Sequence, residues 1–205
     1  MVPDYWQQAA AELSANDPVM AALVRQSAGL SLFSRGDAFA TLARSIVGQQ
    51  ISVKAADSVW ARVMTCLPVL SPVGVLARSA EELAACGLSR RKVEYLLDLA
   101  QHFESGRLDP SGWGRRDDET LIKELSAVRG IGRWTAEMFL IFNQLRPDVY
   151  PLDDIGLQRA VFMHYFGGER QTRAALAAFG ERWRPWRSVA TWYLWRSLDP
   201  VPVAY

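Results

Sequence analysis

Apolar residues recur at three- and four-residue intervals over 38–50, 52–67 and 90–103, the spacing that lays one apolar stripe along a helix. The polar punctuation agrees with helices. Asp17-Pro18 reads as an N-cap followed by proline at the first helical position. Ser79-Ala80-Glu81-Glu82 has capping-box spacing, and Gly87 is placed to stop the short helix after it. A further helical segment covers 118–126, and 186–198 predicts a last helix unusually rich in tryptophan. Connections are short and marked by proline or glycine, at 68–74, 106–114, 146–151 and 167–168. No stretch alternates as a set of strands, and no repeat or low-complexity tract occurs. The expectation is an all-α fold.

Composition narrows the class. A chain of 205 residues, half of them apolar, suffices for one sizeable core or two small lobes. No run of 18 residues lacks a charge, so no membrane span and no membrane partner is expected. The first residues, with Asp4, Trp6, Gln7 and Gln8, lack the basic-then-apolar layout of a signal peptide. Cys66 and Cys86 stand apart without a CxxC pair, so they cannot form a four-cysteine metal site; free thiols in a cytosolic protein are the plain reading. The net charge of +1 leaves a nucleic-acid partner open, because phosphate binding depends on where the cations lie. Lys54, Lys92 and Lys123 are the only lysines.

The most informative stretch is 125–136. A helical segment runs into Gly130-Ile131-Gly132, and a second helix begins at once with Arg133-Trp134-Thr135-Ala136. Glycines flanking one isoleucine let the backbone turn tightly and approach a ligand with no Cβ in the way. The first N–H groups of the second helix have no intrahelical partner and suit a phosphate, while Ile131 can tuck between the two helices. Taken alone, a glycine turn is an ordinary αα-hairpin. With Val128 before it and Thr135-Ala136 after it, the run V-x-G-I-G-x-x-T-A resembles the helix-hairpin-helix DNA-binding motif. The resemblance implies a grip on one strand's backbone by Gly130, Ile131, Gly132, Arg133 and Thr135. It also implies a monovalent cation, Na+ or K+, on the carbonyls of Ser126, Val128 and Gly130, with no other cofactor required.

Past the hairpin comes Pro151-Leu152-Asp153-Asp154-Ile155. Acids at a helix start are, in isolation, an N-cap with a favourable dipole. After a hairpin, the order "hairpin, loop, Pro, Asp" resembles the glycosylase branch of the helix-hairpin-helix superfamily. Over 36–200 the chain is most similar to the 3-methyladenine DNA glycosylase II type, the AlkA and yeast Mag enzymes. That resemblance implies base excision repair of DNA damage: a hydrolase acting on alkylated purines in duplex DNA. Asp154 matches the catalytic position, and Asp153 reads as a cap or structural hydrogen-bond partner. Breaking an N-glycosidic bond builds positive charge on the sugar, which a fixed carboxylate stabilises while it orients a water.

The resemblance extends to base flipping. The segment 46–52 is similar to the family's wedge, with Gln50 at the wedge position and Ile51 beside it; the bland alternative is a turn capped by Ser52. Trp134 and Trp195 match pocket aromatics on which a cationic base would stack. Met138 stands where some relatives have tyrosine. Family members that also nick the strand carry a lysine where this chain has Trp134, so release of a free base without strand cleavage is implied.

The expected architecture is one glycosylase unit, a central lobe over 36–148 and a second lobe joining 1–35 to 149–205, with the active cleft between them. It would act as a monomer, in the cytoplasm of a bacterium or the nucleus of a eukaryote. The alternatives are a bifunctional glycosylase/lyase and a non-catalytic DNA-binding module that uses the same hairpin.

Overall fold

The computed structural model describes residues 2–34 and 36–198. These form thirteen α-helices: α1 Trp6–Asn16, α2 Pro18–Gln26, α3 Ala38–Gly48, α4 Val53–Cys66, α5 Pro72–Leu76, α6 Ala80–Ala85, α7 Arg90–Glu104, α8 Pro110–Trp113, α9 Asp118–Ser126, α10 Arg133–Phe142, α11 Ile155–Tyr165, α12 Arg173–Gly180 and α13 Arg187–Leu198. No strand occurs among the described residues. The fold is all-α, as the periodicity predicts.

Local chemistry sets the boundaries. Asp17 caps α2 by accepting from the Val19 and Met20 N–H groups at 2.9 and 3.1 Å, with Pro18 at the first helical position. Ser79 and Glu82 close a full capping box at α6. Gly87 follows that helix at φ +90°, a region that glycine enters without a Cβ penalty.

The Cα packing separates two compact units. One is 36–139, and the other joins residues 2–34 to 140–198. The division falls inside α10, at 139/140, whereas the expected central lobe runs over 36–148. Proline and glycine show where the backbone turns, whereas side-chain packing can change partners in mid-helix without any local signal.

In the 36–139 unit, α3 packs on α4 and α7, and α5 lies against α7. A chain of edge-to-face rings, Phe39 to Phe103 to Trp113 to Phe139, runs through its core with centroids 5.3, 6.2 and 5.4 Å apart. In the other unit, α13 packs on α1, α2 and α11. Residues 188–194 of α13 are all buried, so this helix lies within the core and carries no amphipathic stripe. Trp6 meets Trp192 and Tyr193 at 5.1 and 5.5 Å. Asp17 ties the unit together: its second oxygen accepts from the Tyr165 hydroxyl at 2.8 Å and the Trp183 indole N–H at 3.2 Å.

Candidate active site

Asp154 is the N-cap of α11, with extended backbone and Oδ1 accepting from the Leu157 N–H at 2.6 Å. The same oxygen accepts the indole N–H of Trp195 at 2.8 Å. Trp195 reaches it from α13 and is stacked on Phe142, with centroids 5.8 Å apart and planes 11° from parallel. Gly156 makes room for this arrangement. A Cβ there would stand 3.1 Å from Asp154 Oδ1 and 3.3 Å from the Trp195 ring. The carboxylate is therefore fixed by a helix start and an indole, at the end of a helix whose dipole favours negative charge. Asp153, its neighbour, is exposed and pairs with Arg173 at 3.0 and 3.3 Å; it does not cap α11.

The hairpin lies in the 36–139 unit. Gly130 turns at φ +82°, a conformation that favours glycine, and Ile131 is buried. Gly132 is exposed, and a Cβ on it would meet nothing within 4 Å. The Arg133 guanidinium is engaged by Glu119 on α9 and Glu137 one turn along α10, and these carboxylates hold its pKa above the ordinary arginine value. Its backbone N–H lies at the start of α10.

The three carbonyls expected to hold a cation are partly used. Val128 O accepts from the Ile131 N–H at 3.1 Å, and Gly130 O accepts from Gln49 Nε2 at 2.8 Å. Each carbonyl keeps a second lone pair, so with Ser126 O three oxygens suit a weakly demanding ion. The turn is nonetheless closed by protein hydrogen bonds. Among the described residues, no group of three His, Cys, Asp or Glu side chains forms a metal site.

The segment expected to supply a wedge is a tight loop between α3 and α4. Gln50 is exposed at φ +58°, an uncommon conformation for a residue with a Cβ. Ile51 is 39% exposed, and Ser52 caps α4 by accepting from the Ala55 N–H. Trp134 and Met138 share one face of α10. Trp134 is 41% exposed and Met138 only 6%, so of the two Trp134 is the one with surface to give a ligand. Trp186 stacks on Tyr5 at 5.6 Å and donates to Glu12, a structural role. The sequence reading missed Phe142, Gly156 and Gln49. Only Gly156, a glycine in the first turn of a helix directly after two acids, carried a local signal.

Comparison with known proteins agrees with this architecture. Residues 43–185 match the model of the HhH-GPD superfamily base excision DNA repair protein. The DNA-3-methyladenine glycosylase 1 of Schizosaccharomyces pombe is 32% identical over 76% of this chain and 70% of its own length. The structure of that yeast enzyme in complex with abasic DNA superposes with a TM-score of 0.78 at 28% identity, covering 96% of this chain and 100% of that one. A DNA-3-methyladenine glycosidase from Bacillus halodurans superposes with a TM-score of 0.84 at 36% identity, covering 91% of this chain and 87% of that one. Among curated bacterial relatives, the chain spans 66% of the length of one from Bacillus subtilis and 60% of one from Escherichia coli. No described helix is long and apolar enough to cross a membrane. The chain belongs to the HhH-GPD superfamily of base excision DNA repair proteins.

Proposed function

We propose that this chain is a monofunctional DNA glycosylase that flips alkylated purines, those cationic through N3 or N7 methylation, out of duplex DNA and hydrolyses their N-glycosidic bond. The observation that carries the reading is the Asp154 carboxylate, held at the α11 N-terminus by the Leu157 N–H and the Trp195 indole N–H. In the reaction, the C1′–N bond breaks and its electron pair leaves on the base, which becomes neutral. Positive charge develops on the sugar, and the fixed anion of Asp154 stabilises it. Water adds to C1′ and loses a proton, leaving an abasic site in an intact strand. A base that already carries a positive charge leaves without acid assistance, so one carboxylate suffices.

The hairpin supports the same reading. Gly132 and the first N–H groups of α10 offer backbone to phosphate without reading sequence. Trp134, exposed on α10, supplies a ring face for a cationic base. Gln50 and Ile51 form the loop that fills the gap left in the duplex. No step is routed through a cation at the hairpin carbonyls. The test is excision from duplexes carrying 3-methyladenine, 7-methylguanine or deaminated bases. Release of the methylated purines as free bases is expected. A protein that binds these duplexes and releases none of the bases is a DNA-binding module, and the proposal fails.

A further inference from the structure

Two loops of the 36–139 unit are fastened to one face of α7. Lys92, Tyr95 and Asp98 are spaced three residues apart, so they project from the same side of that helix. Lys92 Nζ donates to the Val47 carbonyl at 2.7 Å, in the last turn of α3 and just ahead of the 49–51 loop. The Tyr95 ring lies against Gly130 so closely that a Cβ on that glycine would run into it. Asp98 Oδ2 accepts the backbone N–H of Arg129 at 2.8 Å, and its Oδ1 stands 3.6 Å from the Arg129 guanidinium. Gln49 closes the set by donating Nε2 to Gly130 O at 2.8 Å. The loop at 49–51 and the turn at 129–132 are thus joined to each other and to one helix.

Lys92 is the unusual member. Burial pushes its ammonium below the ordinary lysine pKa, and among the described residues it forms no ion pair. Its bond goes to a neutral carbonyl at a helix C-terminus, where the dipole favours a cation. An apolar side chain would pack there without desolvating a charge; only the ammonium adds a hold on the end of α3. Directly beyond that hold, Gln50 adopts φ +58°. A backbone in such a region persists only when its surroundings over-determine it. The Lys92 and Gln49 bonds hold the backbone just ahead of it and supply that constraint.

We infer that Lys92 and Gln49 are positioning residues for base extrusion: with Tyr95 and Asp98 they fix the separation between the 49–51 loop and the hairpin, so that gripping the backbone drives the loop into the duplex. This rests on the assignments of wedge and hairpin proposed above.

The experiment compares Lys92→Met, Lys92→Arg and Gln49→Leu with wild type on two substrates. One is a duplex with 7-methylguanine fully paired and 2-aminopurine as its neighbour. The other is the same strand with no base opposite the lesion. On the paired duplex, single-turnover excision and the 2-aminopurine rise should fall about tenfold in Lys92→Met, the size of one lost hydrogen bond to a charged group, and about fivefold in Gln49→Leu, whose lost bond is neutral. On the unopposed lesion they should fall less than about threefold, because little extrusion is needed there. Lys92→Arg, which keeps a donor, should restore the paired substrate. Thermal unfolding and affinity for abasic duplex should stay near wild type. An equal fall on both substrates, or none on either, overturns the inference. If Lys92→Met does not fold, Gln49→Leu, a change at a half-buried loop residue, carries the same comparison. Wild-type protein that binds but neither extrudes nor excises overturns the glycosylase reading itself, and the inference with it.

Discussion

Trp195 donates its indole N–H to Asp154 Oδ1 at 2.8 Å, onto the oxygen that already caps α11 through the Leu157 N–H. One carboxylate oxygen is therefore both the cap of a helix and the acceptor of an aromatic donor. Removing the charge and removing the cap are separable by substitution. Asparagine caps about as well as aspartate, so Asp154→Asn should keep the melting temperature while excision falls on the order of 100-fold or more. Asp154→Ala should also lose about 1 kcal/mol of stability with the cap. Near-normal excision by Asp154→Asn would remove the aspartate from the chemistry.

Trp195→Phe keeps a ring for Phe142 to stack on and deletes the N–H. If the indole holds the carboxylate in place, excision should fall about tenfold, as expected for a lost hydrogen bond to a charge. Affinity for undamaged duplex should not change. At the adjacent acid, Asp153→Asn breaks an exposed pair with Arg173, an interaction of about 0–1 kcal/mol. Its excision rate should match wild type; a large loss there would mean that the two acids have been assigned the wrong way round.

The hairpin glycines should separate folding from binding. At Gly130 the φ is positive and the Tyr95 ring fills the space a Cβ would take, so Gly130→Ala should be clearly destabilised in thermal unfolding. At Gly132 the space is open, so Gly132→Asp should fold normally and place a negative charge where phosphate approaches. Its affinity should drop alike for damaged and undamaged duplex, because backbone contacts carry no sequence information. A drop confined to damaged DNA would assign the hairpin to lesion recognition instead.

Asp17 is a stability prediction without catalytic content. The residue is buried and accepts from Val19, Met20, Tyr165 and Trp183. Asp17→Ala removes a cap worth about 1 kcal/mol and strands the buried Trp183 N–H and the part-buried Tyr165 hydroxyl at about 1–3 kcal/mol each. Denaturant unfolding should register a loss of about 3–7 kcal/mol, the combined size of those terms. A loss below about 1 kcal/mol would show that the two donors find other partners or water.

What was legible in the sequence was chiefly local. The Asp17 and Ser79 caps, the glycine turn at 130 and the apolar stripe of α7 each depend on residues within a turn of one another. Helix boundaries followed from them to within a residue or two. Roles that depend on long-range partners were not legible. The pairing of the Arg133 guanidinium with Glu119, on another helix, carries no local signal. Trp195 could not be told from Trp183 or Trp192 by pattern, because α13 is buried over 188–194 and has lost the periodicity that sorts inside from outside. Its indole N–H toward Asp154 is a relation across 41 positions of sequence. The unit boundary at 139/140 was hidden for a related reason, since α10 runs through it unbroken.

The reaction's end product follows from the residue at 134. A glycosylase that also nicks DNA does so through an amine, which attacks C1′, displaces the base and leaves an imine joining protein to sugar. Tryptophan at 134 has no amine to give. Borohydride, which reduces such an imine to a stable secondary amine, should therefore trap no protein–DNA adduct. The product strand should break only after alkali or a separate abasic-site nuclease is added. The described lysines differ in how freely they could substitute. Lys92 is half-buried with its ammonium on the Val47 carbonyl, and Lys123 is exposed on α9. Lys54 is exposed in the first turn of α4, four residues beyond Gln50, where a helix start would bring it toward a duplex held by the 49–51 loop. As a compact, hydrated charge it suits a phosphate. Lys54→Ala should accordingly weaken binding and flatten its salt dependence by about one unit of slope while leaving the product unchanged. A trapped adduct in the wild type that disappears in Lys54→Ala would instead make Lys54 a nucleophile and the enzyme a lyase.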